Sequence, residues 1–380
     1  MVRVGLSKLE EKNYVKLSEE SIIYIKDIVR KTGLLLDKKT KENIYRMSLG
    51  KKISIRFLRK LKRGLDIPET YINKNITLIS SVKNTDIGIN NPRLPFNFNS
   101  ADGARILAAI MGDGELNNQI HVRYNNQNYY LISKVKQSVK NLFGEVDIKV
   151  YPRTDKTYQL HLPKIVGLCI VSLGLKPGAK IYTDNNIPSF MFKAKKEFKA
   201  VFIRQFFNDE GNVRQKDRRL QIKQSIVNKT KSRKAMKSYP EEYCPRVLKD
   251  IKIILQDFDI VSKITLGHIR GNKSDWELSI YGKDNLERFY ENIGFNLDYK
   301  NRMLDRCIKS YKFPSAPRNR RIEFAVHNCM KIEEEYGFIT RYLLANQCKR
   351  SLKTATYYMV DLRKKKMLKR ISVGKYRLAI

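Results

Sequence analysis

The chain has 380 residues, too many for one ordinary domain, and 42% of them are hydrophobic, enough to build cores and to exclude wholesale disorder. Lys and Arg number 76 against 38 Asp and Glu, a formal charge of +38 spread along the whole length, and such a field attracts a polyanion. Five cysteines without a CxxC pair and four histidines without zinc-ligand spacing to them exclude a structural zinc site and suit reduced, intracellular thiols. No apolar run reaches membrane-spanning length and no signal-type core follows Met1, so the expectation is an intracellular protein, prokaryotic-type or organellar, with no membrane partner. Composition alone leaves a generally basic protein, ribosomal for example, as an alternative.

The first 83 residues read as a basic helical domain. Ser18 caps a stripe of Ile22, Ile23, Ile25, Ile28 and Val29. A short helix over Thr40–Leu49 stops at Gly50, and a third runs over Ser54–Leu65 before Pro68. The stretch GKKISIRFLRKL is similar to the end of phage-repressor-type modules, so residues 1–83 are expected to be a helix-turn-helix-like domain, with a generic basic bundle as the plain alternative. Residues 84–99, rich in Asn with two prolines, read as a linker.

Two copies of one pattern follow. Ile106–Gly114 reads ILAAIMGDG and Ile203–Gly211 reads IRQFFNDEG. Each is an apolar helix ending in an acid and then a glycine. Glycine is an ordinary helix stop, but a carboxylate at that end faces the negative pole of the helix dipole unless a cation sits there. One copy alone would suit a buried helix with a glycine cap; two copies, each followed by strand, helix, strand, strand and helix, require a shared explanation. After the first come a strand at 119–124, a helix at 129–143, strands at 145–151 and 157–162, and a helix from Lys164. After the second come a strand at 219–226, a helix at 245–257, strands at 261–269 and 276–281, and a helix at 283–293. The halves close alike, on LGLKPGAK ending at Lys180 and IGFNLDYK ending at Lys300; these lysines lie farther apart than the acids, and the basic stretch Asn228–Tyr243 holds most of the extra length.

The paired motifs resemble those of the LAGLIDADG homing endonucleases, of the monomeric two-motif type. The resemblance implies an α+β fold of two pseudo-symmetric αββαββα halves, residues 100–196 and 197–314. The two motif helices would pack side by side through the small face of Ala108 and Gly112. Gln205 stands where the family has a small residue, which predicts asymmetric or looser packing there. The implied function is site-specific hydrolysis of double-stranded DNA by a monomer, with Mg²⁺ (or Mn²⁺) held by Asp113 and Glu210 and by backbone oxygens at Gly112 and Asp209. Lys180 and Lys300 would flank the metal, holding water or countering charge. Gln224 and Asn125, polar residues on the first long strand of each half, would orient water.

Strand alternation sends Arg219, Gln221 and Lys223 to the face opposite Leu220 and Ile222. With His121, Arg123, Lys149, Tyr151, Lys263 and His268 they are the candidates for reading bases in the major groove; a solvated outer face is the plain alternative. The closing segment, residues 318–380, has helices at 320–335, 339–348 and 352–362 and strand-like pieces at 368–373 and 376–380. Their order resembles a winged helix-turn-helix with Lys349–Tyr358 as recognition helix, Thr354, Thr356 and Tyr357 facing bases, and Arg370 and Lys375 on the wing. Two rival readings fit the same residues. A non-cleaving DNA-binding regulator or an intron RNA maturase would use the same scaffold. An intein would explain His327-Asn328-Cys329, although the triplet falls in a regular helical pattern.

Overall fold

A computed structural model describes residues 2–9, 13–32, 36–85, 87–228, 230, 232–311 and 321–379. The two motif helices, Ala101–Met111 and Lys196–Glu210, lie against each other at the centre. Ala104, Leu107, Ala108, Ile203 and Phe206 are all fully buried there.

Each motif helix feeds a four-stranded antiparallel sheet. In the first half the order is Val150–Pro152, Tyr158–Leu162, Val122–Asn126, Gly114–Leu116. In the second it is Gly211–Arg214, Arg219–Val227, Lys273–Tyr281, Ser262–Arg270. Val122, Tyr124, Leu160 and Leu162 fill one face of the first sheet, and Leu220, Ile222, Trp276, Leu278 and Ile280 fill one face of the second. Period-two alternation therefore turns the intervening residues outward. Helices Tyr129–Phe143 and Lys164–Ser172 complete the first half, and Arg246–Gln256 and Lys283–Asn292 the second, so the α+β repeat takes the expected order. The extra length after the second sheet's long strand forms two short helices, Arg233–Ser238 and Pro240–Tyr243, anchored by buried Met236.

The N-terminal region holds the three expected helices but is not all-helical. Its helices, Glu19–Lys31, Lys38–Ser48, Ile55–Gly64 and Glu69–Lys74, accompany a five-stranded sheet. That sheet runs Ile53–Ser54, Tyr14–Leu17, Ile76–Ser80, Ile89–Asn90, Glu145–Val146, so its last strand comes from the first half. Tyr14–Leu17 (YVKL) and Ile76–Ser80 (ITLIS) favour strand through aromatic and β-branched residues but are too short for a clear period, which is why a reading by helical stripes passes over them. Residues 84–99 are likewise no free linker: Ile89, Phe96 and Phe98 are fully buried, and the two phenylalanines meet Phe143 at 4.5 and 5.9 Å between ring centres. One continuous core joins the N-terminal region to both halves.

The closing segment has its own core, built on Ala325, Cys329, Ile332, Leu344, Ala355, Tyr358 and Leu362. Helices Arg321–Tyr336, Arg341–Gln347 and Leu352–Lys364 precede a hairpin of Leu368–Ser372 and Lys375–Leu378, and Ile339 pairs with Tyr376. Arg320 and Ile380, expected in its first helix and last strand, lie outside the described residues. His327-Asn328-Cys329 sits inside the first of these helices: the Asn328 amide donates to the Phe324 carbonyl at 2.7 Å and Cys329 is fully buried, an arrangement unlike a splice junction. All five cysteines are buried thiols, and no described helix is long and apolar enough to cross a membrane.

Candidate active site

Each motif helix stops where its glycine permits a tight passage into the next strand. Gly112 closes the first, and a Cβ there would lie 2.8 Å from Asp209 Oδ2 and 3.0 Å from Asp209 Cβ. The helices thus meet with glycine on one side and aspartate on the other. Gln205, one turn back, is fully buried, and its amide nitrogen donates to Tyr124 Oη and to both Asp209 oxygens, each at 3.1 Å. Instead of loosening the contact, it bridges the seam: Tyr124, from the first half, also donates to Asp209 Oδ1 at 2.7 Å. The Gln205 carbonyl oxygen has no partner among the described residues.

Asp113 and Glu210 emerge at the paired helix ends. Asn126 Nδ2 donates to Asp113 Oδ2 at 2.9 Å, and Gln224 hydrogen-bonds the Glu210 carboxylate. Ladder pairing of Gly114 with Tyr124 and of Gly211 with Ile222 makes Asn126 the counterpart of Gln224, because the second hairpin is one residue longer. Asn125 therefore points to the opposite face, where Gln159 Nε2 donates to its Oδ1 at 2.8 Å. Sequence reading chose Asn125 and missed Asn126; only hairpin register separates them.

Charge in the site is dominated by burial. Desolvation holds Asp113 and Glu210 above the usual carboxylate range, with Lys180 the strongest opposing influence on both, while the Asp113 charge pushes Glu210 up further. Asp209 is raised well above that range by burial and by Asp113. Burial also lowers Lys180, against the pull of Glu210, Asp113 and Asp209.

The lysines differ in use. Lys300 is buried, and its ammonium donates to the carbonyls of Phe207 (3.1 Å), Asn208 (2.7 Å) and Gly211 (2.7 Å), closing the end of the second motif helix. An ammonium has three donors, and all are spent there; burial lowers its pKa to about 8. Lys180 makes one such bond, to the Gly112 carbonyl, and stands nearer the acids in electrostatic effect. A cleft of about 570 Å³ opens beside Asp113, lined also by Asn125, Asn126, Asn208, Asp209, Tyr299 and Lys300.

The donor set suits a hard divalent cation. Two half-buried carboxylates share one locale, and burial holds each above its ordinary range despite Lys180 and Lys300, so the charge of a divalent ion would offset that desolvation. Among the described residues no three His, Cys, Asp or Glu side chains form a metal cage. Ligation would rest on Asp113 and Glu210, backbone oxygens and a ligand's own oxygens; the Gly112 carbonyl already accepts from Lys180 and has one lone pair to spare.

The outer sheet faces gather most of the residues expected to meet nucleic acid. On the first, His161, Arg123 and Glu115 form one cross-strand row, with the Lys149 carbonyl accepting from the His161 backbone N–H at 3.3 Å, and Tyr151, Gln159 and Asn125 form the next; His121 is exposed. Tyr151 packs on the His161 ring at 4.8 Å. Gln159 and His161 were not anticipated, although alternation along YQLHL marks both. On the second face Lys223 and Lys263 are exposed, and His268 is exposed beside a strand irregularity. Gln221 is buried, and Arg219 is held by Glu277 (2.6 Å) and Tyr281 Oη (2.9 Å). In the closing segment Thr356 and Tyr357 are exposed, but the Thr354 hydroxyl bonds that of Ser351, the helix cap, at 2.9 Å, so it belongs to the cap instead of the expected base-facing surface.

Residues 197–294, within the second half, match the model of the LAGLIDADG-like domain. The probable translation initiation factor IF-2 of Methanocaldococcus jannaschii is 26% identical over 231 residues, 58% of this chain and 18% of that protein. The tRNA-splicing ligase RtcB of Methanopyrus kandleri is 23% identical over 257 residues, 63% of this chain and 25% of that one. The chain thus spans a quarter or less of the length of these curated relatives. A crystal structure of I-DmoI in complex with DNA and Ca has 17% identity, covering 55% of this chain and 99% of that one, with a TM-score of 0.36.

Proposed function

We propose that this chain is a monomeric, site-specific double-strand DNA endonuclease that uses Mg²⁺ or Mn²⁺. The observation that carries the reading is the pair Asp113 and Glu210, set at the ends of two helices packed on each other, with Lys180 acting on both. The two relatives carry unrelated named activities and match over a minor part of their length, which suits an element carried within different hosts and lends their own activities no weight here.

Hydrolysis of a phosphodiester requires a positioned water, neutralised charge on the phosphorus and a stabilised departing 3′ oxygen. Asp113 and Glu210 would hold a divalent ion, which would supply Lewis-acid charge at the scissile phosphate. Asn126 and Gln224 fix the two carboxylates by hydrogen bonds to their oxygens. Lys180 presents its ammonium to the charge that develops between them. Lys300 shapes the site by closing the second helix end. The outer sheet faces lie along the major groove, and the three-helix hairpin segment, basic at Arg363–Lys366, Lys369 and Arg370, grips flanking duplex.

The test is incubation of the purified chain and Mg²⁺ with linear duplex carrying its genomic locus without the intervening element. Specific cutting that disappears in Asp113→Asn and in Glu210→Gln while binding persists supports the reading. Tight binding with no cutting under any divalent ion overturns it in favour of a non-cleaving DNA-binding protein or an RNA maturase.

A further inference from the structure

On the outer face of the first sheet three polar side chains are linked in line. Gln159 Nε2 donates to Asn125 Oδ1 at 2.8 Å, and Gln159 Oε1 is 2.6 Å from His161 Nε2. Arg123 stands beside His161 in the ladder and Tyr151 beside Gln159. All three linked residues are half-buried, so their motions are restricted, yet none is shut off from solvent.

Gln159 Nε2 donates to Asn125 Oδ1, which leaves the Gln159 oxygen facing His161 Nε2; the imidazole tautomer protonated at Nε2 donates to it. In that arrangement the oxygen of Asn125 is turned toward Gln159. Asn125 keeps two amide hydrogens and one oxygen lone pair for an outside partner. A neighbouring acceptor and donor on one base edge match that pair: N7 and the N6 amino group of adenine, side by side in the major groove. Asn125 also borders the cleft of Asp113, which places the base pair close to the cut. Its counterpart in the second half is Lys223, paired across the ladder with Glu277 in the place of Gln159. A lysine donates only and a glutamate accepts only, so that half has no equivalent of the oriented amide.

We infer that Asn125, braced by Gln159 and His161, is a specificity-determining residue that reads one adenine in the half-site bound by the first sheet, with no symmetric adenine opposite. The inference rests on the proposed reading only in that this sheet faces duplex DNA. Asn125 reads the base; Gln159 is a positioning residue that sets the amide's orientation.

Binding selection from a pool of duplexes with a randomised segment tests it, using the full chain. The wild type is expected to enrich adenine at one position of one half-site by about tenfold or more over other bases. Asn125→Asp keeps the shape and the bond from Gln159 but can only accept, so the preference at that position should move to cytosine, whose N4 amino group donates. Gln159→Glu can only accept from Asn125, turns the amide round and should abolish the adenine preference while preferences elsewhere stay. Adenine retained in Asn125→Asp, or a Gln159→Glu profile identical to the wild type's, overturns the inference and leaves the endonuclease reading standing. Enrichment of no sequence at all overturns both.

Discussion

In the first half Gly112 and Asp113 directly follow the motif helix, Ala108 lies a turn back, and Lys180 offers one hydrogen bond to a backbone carbonyl. At the same places the second half has Asp209 and Glu210, Gln205, and Lys300 with all three donors used by backbone carbonyls. Outside, the amide pair Asn125 and Gln159 corresponds to the charged pair Lys223 and Glu277. A shared fold therefore leaves two different sites. Small residues of the first half make room, and polar residues of the second, Gln205 and Asp209, fill that room and tie Tyr124 across the seam. Asymmetry is built into the contact between the halves as well as appended to their surfaces.

The largest expected difference lies between the lysines. Lys180→Met removes the ammonium that acts most on both acids, and should lower the cleavage rate on the order of 10²- to 10³-fold with little change in folding. Lys300→Met removes the donor shared by three carbonyls in a buried place, and should cost about 3 kcal/mol of stability before catalysis is considered. Single-turnover rates and denaturant unfolding on both variants separate the two roles. Equal rate losses with equal unfolding midpoints would show the lysines to be equivalent and break the comparison.

A smaller effect sits at the seam. Gly112→Ala places a methyl 2.8 Å from Asp209 Oδ2, and overpacking of this kind costs about 1–3 kcal/mol. Asp209→Ala should return part of that loss, giving a coupling on the order of 1 kcal/mol in a double-mutant cycle followed by urea unfolding. Strict additivity would mean the helices part freely at this point.

How much of this was legible in the chain depended on where the signal resides. Tyr129–Phe143 carries four helical turns of apolar spacing and was read to the residue, and Arg219–Val227 alternates clearly enough to be placed within one. Tyr14–Leu17 and Ile76–Ser80 were missed because strands so short acquire their identity from partners distant in sequence. Phe96 and Phe98 were hidden among asparagines and prolines, which mask a buried segment as a linker. At the site, the two acids stood out because a carboxylate at a helix C-terminus runs against the dipole. Asn126 could not be told from Asn125 without the hairpin's register, and the consumption of Lys300 by carbonyls has no sequence signature, since every residue has a carbonyl.

The smallest effect concerns the acids without metal. Burial holds Asp113 and Glu210 above the ordinary carboxylate range, so in the folded chain each keeps its proton at a pH where the unfolded chain has released it. Their contribution to stability is therefore fully present below the ordinary carboxylate value and is lost as pH rises through the raised folded one. Asp113→Asn keeps the shape and the Asn126 contact but never charges. In a chelating buffer it should melt above the wild type at neutral pH, and the gap should close as the buffer is acidified below about pH 4. Adding Mg²⁺ or Mn²⁺ should raise the wild-type Tm and leave the variant's nearly unmoved, because the ion binds only the folded carboxylates. Glu210→Gln run alongside sharpens the contrast between halves: Glu210 carries the added repulsion of Asp113, so neutralising either acid relieves the other. An Asp113→Asn chain that melts below the wild type without metal would mean that Lys180 and Lys300 already compensate the carboxylate, leaving no deficit of positive charge for a divalent ion to fill.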